Sequence, residues 1–411
     1  MTDTVRRVGI LFSGGPAPAA NAVISAAALS FLDRGIDVVG FLDGYEHLER
    51  WTAEEPLREG DHYRALTREN VAGTRSRTDI MLRTARANPG KAIRTLEDLK
   101  DPERAGKLIS VLGALGQVGC DALISIGGDD TLKTANYLAE LQRLEPQLTR
   151  VSIVHLPKTI DNDYFGIDWT FGFTSAADFA AGEVRNLVDD AKSTRAWYVV
   201  EVMGRKAGWL TYATGIAGGA VRMLSVEDFS DRFDAAAAAT ELVDVMITRE
   251  EEGRCHGVVC VAEGLADILP DDQRPSKRDE HGNPVLGSVH IGKLLAEAME
   301  NEYAARTGRT RKVRSKQVGY ETRCSEPGVF DLMLGSQLGV GAYRALVEEG
   351  LSSVMVSVHG QRELAYLPFS ELIDPVTLLT CVRMIPPGSD FHRLARALEY
   401  QRHARPAGEP G

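Results

Sequence analysis

The densest chemistry in the sequence lies in Pro157-Lys158-Thr159-Ile160-Asp161-Asn162-Asp163, where an ammonium, a hydroxyl, two carboxylates and an amide crowd together. The segment follows the apolar run Val151–Leu156, and charge at the end of a buried strand needs a partner or a purpose. A carboxylate here can accept a proton from an attacking hydroxyl, while Lys158 and Thr159 can hold phosphate oxygens. A solvated turn is the competing reading, since Asn and Asp favour turns. Gly127-Gly128-Asp129-Asp130 sets two carboxylates at the start of a helix. A lone Asp there would be a cap, but a pair behind two glycines suits a Mg²⁺ held near phosphate oxygens, partly through water. Ser13-Gly14-Gly15 also enters a helix, where free N–H groups and the helix dipole favour an anion. It reads equally well as an ordinary turn, being neither a Walker loop nor G-x-G-x-x-G. Met203-Gly204-Arg205-Lys206 places an arginine at a helix start, against the dipole, which a bound phosphoryl group would offset. Arg314, Tyr320 and Arg323 have spacings that no straight strand puts on one face, so a joint site for them requires a bend.

These motifs share a grammar of apolar run, glycines, then a longer helical stretch. Val8–Phe12, Ile36–Leu42, Ala122–Ile126, Val151–Leu156, Trp197–Val202 and His256–Ala262 read as buried strands, and Gln317–Tyr320 as a short one. Ala19–Leu32, Asp129–Leu144, the stretch from Gly204 to Ala217, that from Phe233, Leu286–Arg306 and Phe330–Glu349 read as helices. The alternation predicts a doubly wound α/β protein, too long for a single sheet, with ligands at the carboxyl ends of the strands. Leu265–Pro284 and Ile385–Gly388 read as surface connections, and the residues after Ala404 as a disordered tail.

Composition narrows the classes. Of 411 residues, 44% are hydrophobic and 26% charged, which excludes a mainly disordered chain. Forty glycines exceed the usual ~7%, which suits close backbone approach to a ligand. A net charge of −11 argues against nucleic-acid or membrane partners, so any bound anion needs a local cluster of donors. Cys120, Cys255, Cys260, Cys324 and Cys381 are scattered and form no Cys-x-x-Cys pair. With no signal-peptide core and no run near the ~20 apolar residues of a membrane span, a cytoplasmic location is expected.

Gly-Gly-Asp-Asp, Pro-Lys-Thr-Ile-Asp-Asn-Asp, Val-Met-Gly-Arg and Gly-Tyr-Glu-Thr-Arg occur here in one order, and from about Val8 to Leu372 the chain resembles the phosphofructokinase family. The resemblance implies two Rossmann-like three-layer αβα lobes with the active site in the cleft between them. It implies a phosphoryl-donor lobe of residues 1–173 plus about 322–372, a sugar-phosphate lobe of 174–321 plus about 373–395, and a tail, 396–411. It makes Asp161 the base for the sugar 1-hydroxyl, with Thr159 and Arg205 gripping the transferred phosphoryl and Asp129 carrying Mg²⁺. Gly14, Gly15 and Arg86 fall on the donor side. Thr159, Ile160, Asp161, Met203, Gly204, Arg205 and Glu227 line the fructose 6-phosphate, although the residue before Glu227 is Val226 where the family has Pro. Tyr320 and Arg323 match the clamp on the 6-phosphate. Arg314 matches an arginine supplied by a neighbouring subunit, which implies a homodimer or homotetramer.

Asp130 and Lys158 resemble the diphosphate-dependent branch of that family and are implied to be catalytic. Asp130 adds bulk and negative charge where a nucleotide's α-phosphate would lie, and Lys158 adds a cation for the departing phosphate. The expected reaction is reversible transfer from diphosphate to fructose 6-phosphate. An ATP-dependent 6-phosphofructokinase, or a non-catalytic subunit that binds sugar phosphate, stands as the alternative. Two positions depart from the family: Ala19, where glycine is common, and Ala196, where an intersubunit arginine would fall one residue after Arg195.

Overall fold

The computed structural model describes residues 5–274 and 289–401. The chain folds as two compact units, one formed by Met1–Ala176 with Arg323–Arg383, the other by Ala177–Thr322 with Met384–Gly411. Residues 373–383 therefore join the first unit, where the resemblance placed them in the other lobe. Pairing of Ile373 with Thr380 and of Val382 with Tyr164 holds them there.

The first unit is built on seven strands: β1 (Arg7–Phe12), β2 (Asp37–Phe41), β3 (Tyr63–Leu66), β4 (Ala122–Gly127), β5 (Ser152–Pro157), and, after the excursion into the second unit, β10 (Val354–His359) and β11 (Glu363–Pro368). Their order is β11-β10-β5-β4-β1-β2-β3, with the inner five parallel and the two edge strands antiparallel. β1 and β4 are adjacent although the chain leaves β1 towards β2. Strand order therefore reverses between β1 and β4, the place where doubly wound sheets bind ligands. Phe12 pairs with Ile126 and Gly127 with Pro157, so three glycine-rich or charged strand ends stand level. The helices Ala20–Leu32 and Val329–Tyr343 pack closely, because a Cβ at Gly339 would lie 2.5 Å from the Val23 carbonyl oxygen.

The second unit holds β6 (Trp197–Val202), β7 (Arg222–Leu224), β8 (Gly257–Ala262) and β9 (Val313–Val318), all parallel, in the order β7-β8-β6-β9. Trp197, Val199, Phe233, Met246, Val259, Leu295, Met299 and Tyr303 form its buried core. The short strand read at Gln317–Tyr320 begins earlier, at Val313, and Tyr320–Cys324 is a 3₁₀ turn. This is the bend that Arg314 and Tyr320 required. The helix read from Leu286 runs over Ile291–Thr307, and residues 275–288 lie outside the described residues, as does the tail beyond residue 401. Two expected surface connections are partly buried: Leu265, Ala266 and Leu269 lie in the core after β8, and Ile385 has no exposed surface. Among the described residues no helix is long and apolar enough to cross a membrane.

Candidate active site

In the first unit, β1 ends at buried Ser13, whose N–H continues the sheet to the Ile126 carbonyl at 2.9 Å. Gly14 has φ 87°, the left-handed region that favours glycine. Its N–H donates to the Ala85 carbonyl at 3.0 Å and its carbonyl accepts from the Thr84 hydroxyl at 2.6 Å, so Thr84-Ala85-Arg86 is stitched to this turn. The Gly14 amide is thereby occupied, contrary to a loop whose every N–H faces a phosphate. The glycines serve space instead. A Cβ at Gly14 would lie 3.2 Å from Lys158 Nζ, and one at Gly15 would lie 2.8 Å from Arg323 Nη1.

Lys158 reaches this turn from β5. Its backbone N–H donates to the Gly127 carbonyl at 2.9 Å, and its side chain is buried with Nζ 5.8 Å from the Phe12 ring centroid. Burial pushes its ammonium down from 10.5 to about 8; Arg323 and Arg86 add to the shift and Asp161 and Asp163 oppose it. These causes identify its charged neighbours: two cations and two carboxylates that the sequence scatters from Arg86 to Arg323 act on one ammonium. Arg323, matched to a sugar-phosphate clamp, has its guanidinium against the donor turn.

At the end of β4, Gly127 is required because a Cβ would lie 2.3 Å from the Thr131 hydroxyl. Asp129 and Asp130 open the helix Asp129–Leu144, where carboxylates suit the dipole. Asp130 pairs with Lys133 at 2.6 Å. The Thr159 hydroxyl oxygen accepts from the Asp161 N–H at 3.0 Å, which leaves its own proton available to a ligand. Asn162, fully buried at φ 56°, accepts from the Thr170 N–H at 2.9 Å. Tyr164 donates to the Gly127 carbonyl at 3.3 Å and lies 3.1 Å from His155 Nε2. Burial raises the Tyr164 hydroxyl well above its usual 10, and the charges of Asp129, Asp163 and Asp130 add to the rise. Burial holds His155 down to about 3, hence neutral.

In the second unit, β6 is wholly buried and ends in Met203 and Gly204, the latter at φ 130°, outside the range of ordinary side chains. Gly204 N–H donates to Glu263 Oε1 at 3.3 Å, and Arg205 Nε to Asp267 Oδ2 at 3.4 Å. Glu263, which no sequence motif singled out, holds the Gly204 amide. Its signal was present: it directly follows the apolar strand Gly257–Ala262, whose last residue pairs with Val202. Glu227 is engaged otherwise. Its carboxylate accepts from the N–H of Gly208 at 3.0 Å, from that of Ile385 at 3.1 Å and from the Ser225 hydroxyl, so it caps the helix Trp209–Gly218. Arg314 donates to the Tyr198 hydroxyl at 3.3 Å, over that ring, beside Asp190. Tyr320 is 71% exposed. Arg195 takes φ 54° at the helix end before β6, so the displaced arginine sits in a turn and not on the strand.

Both units are α/β, built on mainly or wholly parallel sheets with glycines and charged side chains at the carboxyl ends of their strands, where proteins of this class bind ligands. The chain belongs to the phosphofructokinase family, whose description, Phosphofructokinase, matches residues 7–346. It is 33% identical over 400 residues to a pyrophosphate–fructose 6-phosphate 1-phosphotransferase of Thermotoga maritima, covering 95% of this chain and 89% of the relative. It is 30% identical over 401 residues to an ATP-dependent 6-phosphofructokinase of Chloroflexus aurantiacus, covering 97% of this chain and 98% of the relative. Among solved structures, a phosphofructokinase of Saccharomyces cerevisiae matches with a TM-score of 0.66 at 25% identity; the match covers 89% of this chain but only 45% of that longer one. The pyrophosphate-dependent enzyme of Nitrosospira multiformis matches with a TM-score of 0.69 at 17% identity, covering 98% and 95% of the two chains, and shares the fold.

Proposed function

We propose that this protein reversibly transfers a phosphoryl group from diphosphate to the 1-hydroxyl of fructose 6-phosphate, giving fructose 1,6-bisphosphate and phosphate. The observation that carries the donor choice is the buried Lys158 ammonium beside Gly14, with Arg86 and Arg323 as neighbours. A small, highly charged donor matches three clustered cations, and an aspartate at position 130 would crowd a nucleotide's α-phosphate. In this reading Asp161 takes the proton of the attacking hydroxyl. Lys158, Thr159 and Arg205 stabilise charge spread over the phosphoryl oxygens. Asp129 would hold Mg²⁺, and the ion would neutralise charge on the donor. Met203, Gly204 and Arg205 would line the sugar, and Glu263, which holds the Gly204 amide, joins them. Tyr320 would contact the 6-phosphate, and Arg314 would act in a homo-oligomer.

The ATP-dependent relative at 30% identity favours a second reading, ATP as donor on the same fold. Turnover of fructose 6-phosphate with Mg²⁺ and either diphosphate or ATP, then both in competition, separates the two. Efficient use of ATP with no use of diphosphate would overturn the first.

A further inference from the structure

The segment after β11 lies beyond the residues that the family matches, yet it returns to the loop carrying Asp161. Val382 pairs with Tyr164 in an isolated antiparallel bridge. The Arg383 N–H donates to the Asp163 carbonyl at 2.8 Å. Its guanidinium Nη1 donates to the Ile167 carbonyl at 2.6 Å and also to the Asp168 carbonyl. Asp168 and Asp163 also attract this half-buried cation. One residue thus holds three carbonyls of a stretch, Lys158–Gly172, that contains no regular helix or strand. On the other flank Asn162 and Thr170 bind each other, and the Thr170 hydroxyl donates to the Thr159 carbonyl at 2.8 Å. Asp161 lies on the part of the loop that these two sets of contacts bracket.

We propose that Arg383 is a positioning residue for phosphoryl transfer: it fixes the backbone of residues 163–168 and through it the direction of the Asp161 carboxylate. The inference rests on Asp161 being the base. A planar fork with several donors suits the task, and a lysine cannot reproduce it. Displacements near 1 Å can cost about 10²-fold in rate, and loss of an outer-shell partner about 10–100-fold.

The test uses full-length Arg383→Ala and Arg383→Lys. In both, kcat should fall about 10–100-fold while KM for fructose 6-phosphate stays within about twofold, since the sugar contacts are untouched. Millimolar guanidinium ion should restore part of the loss in Arg383→Ala. By hydrogen exchange, amides of residues 161–170 should exchange faster while β1, β4 and β5 keep their protection. Wild-type kcat with unchanged exchange would overturn the proposal. So would protection lost throughout the first unit, because Arg383 would then hold the fold and not the loop. If Arg383→Ala does not fold, Arg383→Lys decides by the same readings. If diphosphate is not the donor, wild type fails with it too; kinetics then use ATP, and the exchange measurement stands by itself.

Discussion

Burial brings the Lys158 ammonium down from 10.5 to about 8, with Arg323 the next contributor, so its charge is lost in a range where most lysines keep theirs. Two consequences follow, with opposite signs. For binding, the cation is complete below about pH 7 and fades above 8, so diphosphate affinity should fall up to tenfold per pH unit beyond 8. Calorimetric titration from pH 6.5 to 9.5, repeated with Lys158→Met to subtract the donor's own titration, checks this; identical profiles would sink it. For folding, the unfolded chain keeps this proton up to 10.5 while the native one releases it near 8. Deprotonation therefore favours the native state, and this group's contribution makes stability rise between those values. Asp161→Asn keeps shape and removes basicity. It should lower kcat about 10²–10⁴-fold and leave fructose 6-phosphate binding within about twofold. Near wild-type turnover would mean that another group takes the proton.

The strand ends hold these side chains, and β4 does so with almost no tolerance. Gly127→Ala would drive a methyl group to within 2.3–2.6 Å of the Thr131 side chain, in the first turn of the helix that carries Asp129 and Asp130. Overpacking of this kind costs about 1–3 kcal/mol, so thermal unfolding should shift down by several degrees, and Mg²⁺ should bind more weakly. An unchanged melting temperature would show that the turn yields more easily than its geometry implies. Elements such as β4 were legible in the sequence because they are buried on both faces and read as continuous apolar runs. The edge strands were read in part or not at all, and the buried inner strand β10 was missed as well. β9 buries only its first and last residues and carries Arg314 and Lys316 between them; β3 and β11 are mostly half-exposed, so their apolar signal is weak. The long helix Phe173–Thr194 escaped although Gly172, at φ 89°, directly precedes it. At the site, the motif residues stood out through their crowding. Glu263 and Arg383 did not, since each works through a backbone amide or carbonyl that only the folded chain brings near.

At the scale of the whole molecule, the two units share no strand, and each sheet closes with its own edges. The proposed donor residues Gly14, Gly15, Arg86, Lys158 and Arg323 all belong to the first unit, whereas Met203, Gly204 and Arg205 belong to the second. Binding stabilises only the states that contain the folded site, by about 2.7 kcal/mol at a hundred times Kd. Diphosphate with Mg²⁺ and no sugar present should therefore slow hydrogen exchange at residues 13–15, 84–86 and 158–163 and in β1, β4 and β5. The strands β7, β8, β6 and β9 should exchange as in the free protein. The expected contrast is large, because openings of one sheet need not expose the other. Arg323 sharpens the measurement. If its guanidinium serves the donor, as its place against Gly15 suggests, Arg323→Gln should weaken diphosphate binding about tenfold or more without sugar present. If it serves only the 6-phosphate, that variant should bind diphosphate normally and lose fructose 6-phosphate. Protection spread evenly over both sheets would contradict the assignment of the donor to the first unit.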